Sequence, residues 1–125
     1  MSAMEYKTFG DFLYQKRIEN KITMRQMADE LGVSPVFISD IEKDRRNPFD
    51  VNRLRQLVPF LNLTDEERDL MYDLAGKKRN EVAPDLHDYI TENDYVSAAL
   101  RTCRDLEVGE EEWAHMVEEL KQRKG

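Results

Sequence analysis

The 125-residue sequence has one cysteine, two histidines and five glycines, and each scarcity closes off a class of protein. A single cysteine allows no intrachain disulfide and no cysteine zinc cluster, which fits a reducing, cytoplasmic setting. His87 and His115 lie far apart and lack ligand spacing to each other or to Cys103, so no metal site is expected. No glycine-rich loop of the kind that cradles phosphate is present. Few glycines and few β-branched alternations leave no convincing strand. The apolar runs are far too short to span a bilayer, and no charged-then-apolar leader precedes a small-residue cleavage site. Cys103 falls on an apolar stripe and reads as a core thiol rather than a nucleophile. Neither an enzyme nor a cofactor is expected.

What the sequence does have is charge and helical periodicity. Charged residues make up 36% and hydrophobic residues 40%, the mix of a small helical protein. The net charge is −7, but it is unevenly spread. Residues 1–60 sum to +1 and residues 61–125 to −8. The acidity therefore lies outside the first part, where Lys43, Arg45 and Arg46 form a local basic cluster.

Thr23 to Pro48, TMRQMADELGVSPVFISDIEKDRRNP, reads as a helix, a tight turn and a second helix. Thr23 is an N-cap, and Met27, Ala28 and Leu31 fall on one helical face. Gly32 stops the helix where a positive φ costs least. Ser34 caps the second helix and Pro35 occupies its first turn, while Ile38 and Ile41 form its inner face. Ala28 is small where the helices cross. This is a helix-turn-helix pattern, whose second helix is the element used to enter a DNA major groove.

With the residues FGDFLYQKRIENKITMRQMADELGVSPVFISDIEKDRRNP followed by VNRLRQLVPFLNL, the span from Phe9 to Leu61 resembles the lambda-repressor-like DNA-binding domain of the Cro/C1-type (XRE) family of transcriptional regulators. The resemblance implies an all-α, five-helix domain, here expected over residues 8–76 with its motif at 24–43. It implies double-stranded DNA as partner, a homodimer on an inverted-repeat operator, and a role in repression; the alternatives are an antitoxin that binds a toxin and represses its own promoter, or a protein-interaction module with vestigial DNA binding. In that family an arginine of the first helix pairs with the glutamate ending the recognition helix. Arg17, on the apolar face with Leu13, and Glu42, next to Ile41, match those positions. Independently, an arginine on an apolar face needs a partner because a buried unpaired charge is costly. Family members often place a phosphate-holding glutamine first in the supporting helix; this chain has Met24 there, with Gln26 two residues on.

A recognition helix starting at Pro35 turns Val36, Ser39, Asp40 and Lys43 away from the core, towards base edges. Asp40 can accept from a cytosine amine, Val36 can touch a thymine methyl, and Ser39 can donate or accept. Ser34 and Pro35 sit at the tip. Arg25 and Gln26 near the start of the supporting helix, with Lys43, Arg45 and Arg46 at the exit, are the candidates for phosphate. Phe37 reads as half-buried against the supporting helix.

Around this motif, residues 1–7 read as a disordered lead. A first helix is expected from Phe9 to Asn20 and a fourth from Asp50 to Leu61, with Pro59 disturbing its last turn. A capping box at Thr64 to Glu67 opens a fifth that stops at Gly76. Lys77 to Asn80 then form a basic hinge, and Pro84 interrupts. Residues 84–125 form a C-terminal helical extension: one amphipathic helix over Asp94 to Leu106, and after Gly109 a second over Glu110 to Lys121. The second carries Trp113, Met116, Val117 and Leu120 on one face. That stripe packs on the first domain, forms a dimer, or binds a partner, and a toxin or a protease is the kind of partner that proteins resembling this one engage.

Overall fold

The computed structural model describes residues 6–124, and every regular element within them is a helix. The chain divides into two compact units, the first ending at His87 and the second beginning at Asp88. No helix among the described residues is long and apolar enough to cross a membrane.

The first unit is built from α1 (Phe9–Glu19), α2 (Met24–Leu31), α3 (Pro35–Glu42), α4 (Val51–Phe60) and α5 (Asp65–Arg79). Local chemistry explains most of the boundaries. The Thr8 hydroxyl accepts from Asp11 N–H at 3.0 Å, and Thr23 and Thr64 close capping boxes with Gln26 and Glu67. Gly32 takes a left-handed conformation at φ 69°, which turns the chain from α2 into α3. Ser34 accepts from Phe37 N–H, with Pro35 at the first helical position. α4 ends one residue past Pro59. Side chains from all five helices then meet in one core: Phe12, Leu13, Met27, Ile38, Leu54, Leu57 and Met71 are fully buried.

Several expectations need correction. α5 does not stop at Gly76; it runs to Arg79, and Asn80 takes the left-handed cap position at φ 57°. Gly76 is needed for another reason. A Cβ there would stand 2.9 Å from Ala83 N, Glu81 O and Val82 C, so the glycine lets the returning chain touch the helix. Lys77 to Arg79 are accordingly the last turn of α5, not a hinge. Lys78 Nζ donates to Asp44 O at 2.8 Å and Arg79 to Pro48 O at 2.5 Å, so that turn holds the loop following α3.

Residues 1–5 of the expected lead lie outside the described residues. Tyr6 is buried, with its ring edge-on to Phe12 at 5.0 Å. Phe37 is half-buried against the core that Met27, Ala28 and Leu31 of α2 help to form, and its ring also stacks on Phe49 in the loop after α3 at 5.9 Å.

The second unit holds α7 (Asp94–Asp105) and α8 (Glu110–Lys124), while the short α6 (His87–Thr91), which the sequence pattern did not suggest, spans the division between the units. None of these helices has a buried residue. Cys103 is half-buried, not a core thiol, and it lines an open apolar cleft of about 390 Å³ with Val108, His115 and Met116.

An ion pair joins α1 to the start of α5. Lys16 Nζ bonds Glu67 and reaches Glu19 at 3.0 Å, with its own side chain only 8% exposed. Burial alone would lower the lysine's pKa, but the carboxylates more than offset it and the pKa is raised. Burial likewise opposes ionisation of Glu67, yet Lys16 and the Thr64 cap hold its pKa below the usual range. The Glu67 contribution is thus present above the ordinary glutamate pKa and lost as pH falls through the depressed value, while that of Lys16 is lost only in strong alkali. Lys16→Met is expected to destabilise the unit at pH 7, and the gap from wild type should narrow at pH 3. Urea midpoints at the two pH values measure this, and an unchanged gap would remove the pair from the account.

Candidate nucleic-acid interface

α2 and α3 are held at a fixed angle by Met27, Ala28, Leu31, Ile38 and Ile41, all buried. The opposite face of α3 is open. Val36 is 69% exposed, Pro35 and Ser34 are exposed, and Ser39 and Asp40 are half-buried beside them. Arg25 and Gln26 are exposed on the first turn of α2, and Lys43, Arg45 and Arg46 are exposed beyond α3. These exposed residues thus lie on the first turn of α2, on the outer face of α3 and on the loop that follows it.

The position of α3 is set from inside. Arg17 Nε donates to Glu42 Oε2 at 2.6 Å and Nη2 to Oε1 at 3.0 Å, while Nη1 donates to Ile22 O at 3.0 Å. The two side chains are 8% and 4% exposed. Hydrogen bonding to Glu42 raises the arginine pKa above its usual value. A bidentate pair of this kind fixes the rotation of α3 as well as its distance from α1.

The exit loop is equally fixed. Asp44, at φ 58°, points its carboxylate at the start of α1, accepting from Gly10 N–H at 3.1 Å and from the Thr8 hydroxyl at 2.6 Å. The loop bearing Lys43, Arg45 and Arg46 is therefore anchored at Asp44 and, through Lys78 and Arg79, at α5. Sequence reading missed Asp44, Gly10, Phe49 and Lys78 here. No local pattern marked these roles, because their partners are distant in sequence.

Arg46 is not simply a free cation. Its guanidinium lies 4.3 Å over the Phe37 ring and 3.8 Å from Asp40 Oδ2. It thus steadies the Asp40 carboxylate on the outer face of α3. Gln26 is also partly committed, since its side-chain oxygen accepts from Thr23 N–H at 2.8 Å. That orientation leaves the amide N–H₂ as the end that can donate outward.

Electrostatics favour an anion at this surface. Neither α2 nor α3 has an acidic residue in its first turn, whereas α5 and α8 carry three each. The partial positive charge at the first two helix starts is left uncompensated. Among the described residues no cluster of His, Cys, Asp and Glu could hold a metal ion. Trp113, Met116, Val117 and Leu120 lie together on α8, in the other unit, and all are exposed.

Residues 10–72, just over half of the chain, match the family model of a helix-turn-helix domain. No curated protein and no solved structure matches the chain.

Proposed function

The chain belongs to the helix-turn-helix domain family, and we propose that it is a sequence-specific DNA-binding transcriptional regulator of the Cro/C1 type, a cytoplasmic repressor that occupies an inverted repeat as a homodimer. One observation carries this reading. The outer face of α3 is open and polar, rigidly mounted by the buried Arg17–Glu42 pair, and bordered by Lys43, Arg45 and Arg46. Val36, Ser39 and Asp40 read bases, Arg25, Gln26, Lys43 and Arg45 hold phosphates, and Arg46 does both by bracing Asp40. The Ser34 cap and Pro35 set the tip of α3. A single recognition helix covers few base pairs, so two copies are needed for useful specificity. Repression is steric, by occupation of a promoter.

The chain's charge sets the regime. With most of its acidity outside the first 60 residues, attraction to DNA is local and non-specific affinity is weak. A band shift on DNA upstream of the protein's own reading frame tests the reading directly. Asp40→Ala is expected to relax preference at one base pair, at about 1–3 kcal/mol of discrimination. Arg45→Ala should weaken all sequences alike and reduce the salt slope by about 1. Arg46→Ala should do both. Failure of the wild-type protein to shift any upstream fragment at low salt would overturn the proposal.

A further inference from the structure

α8 is amphipathic and only partly covered: Trp113 is 40% exposed and Leu120 51%, no residue of the helix is buried, and the cleft that Glu112 and Met116 share with Cys103 is open. A 15-residue helix is marginal in water without such cover. Its charges say what covers it. Glu110, Glu111 and Glu112 occupy its first turn, and Lys121, Arg123 and Lys124 its last.

We propose that α8 pairs with α8 of a second copy of the chain, antiparallel, about a two-fold axis passing between Met116 and Val117. This names the interface of the homodimer invoked above, and rests on that reading only for its purpose, not for its geometry. Two apolar pairs define that axis, and two charge pairs flank it. Reversing the helix about that point brings Trp113 level with Leu120 and Met116 level with Val117. Residues eleven apart differ by only about 20° around a helix, so Glu110 and Lys121 share one flank of the stripe and Glu112 and Arg123 share the other. A perpendicular two-fold sets each flank against the same flank of the copy, reversed in direction. Glu110 of one helix then faces Lys121 of the other, and Glu112 faces Arg123. The midpoints of these two pairs lie symmetrically either side of the axis that the apolar pairs define.

A parallel arrangement fails on the same residues. It would place the three glutamates of one copy beside those of the other, and the three cations likewise, with no compensation. The self-complementary arrangement is the isologous kind expected of a two-fold dimer.

The test uses the full chain, without DNA, in sedimentation equilibrium at low salt, with far-UV circular dichroism to check that each variant folds. Wild type should dimerise. Glu112→Lys should raise the dimer dissociation constant about tenfold, because two symmetric attractions become repulsions. Adding Arg123→Glu should return it to near the wild-type value, and Glu110→Lys with Lys121→Glu should behave the same way through the other flank. A monomeric wild type, or a Glu112→Lys variant that dimerises as well as or better than wild type, overturns the pairing; tighter dimerisation is the mark of a parallel dimer. Binding to a single half-site is read separately, so the DNA-binding reading can fail or survive independently of this outcome.

Discussion

Arg17→Met should cost the first unit about 3 kcal/mol, and Glu42→Leu added to it should recover much of that loss. The size follows from what is left behind. Glu42, with a side chain only 4% exposed, would be left buried without its partner, and Ile22 O would lose its donor. Removing one partner of a buried pair is far more damaging than replacing both by apolar groups of similar volume. Urea unfolding of the two single variants and the double completes the cycle. Simple addition of the two single losses would show that no coupling exists between these side chains.

The same pair links stability to the proposed function. It joins α1 to the last residue of α3, so α3 is positioned by a charge pair that tolerates little rotation. Arg17→Met with Glu42→Leu should therefore be nearly as stable as wild type while discriminating less between DNA sequences. An apolar contact fills space but does not fix an angle.

The helix-turn-helix was legible because its signals are local. Thr23, Gly32, Ser34 and Pro35 each act on backbone groups within a few residues, so their types and spacing suffice. Gly76 shows where local reading stops. A glycine at a left-handed cap and a glycine at a close approach look alike in sequence, and both reflect the absence of a Cβ. Only the return of residues 81–83 against α5 separates them. Phe49 was missed for a related reason. It lies outside any periodic segment, and its burial between Phe9 and Phe37 is a tertiary contact. Arg46 looked like a phosphate ligand by charge alone; its stacking on Phe37 depends on how the exit loop folds back.

Gly10→Ala should be as damaging as the loss of Arg17, though no charge is involved. A Cβ at this position would stand 2.5 Å from Ile41 O, 2.6 Å from Glu42 O and 2.8 Å from Asp44 Oδ1. Two of those three atoms are backbone, so no side chain can swing aside to make room. α1 and the end of α3 must separate, stretching the Gly10 N–H to Asp44 bond of 3.1 Å. Overpacking of this kind costs on the order of 3 kcal/mol, a fall of roughly 15 °C in Tm for a unit this size. Gly109→Ala is the control, since nothing lies within 4 Å of its added carbon, and it should leave Tm nearly unchanged. The substitution at Gly10 has a second reading in DNA binding. Asp44 lies between Lys43 and Arg45, so moving it displaces the loop proposed to hold phosphate even in molecules that stay folded. Half-site affinity at 10 °C should then drop by more than the unfolded fraction explains. A Gly10→Ala protein with wild-type Tm and affinity would show that α1 and α3 are not in the contact described.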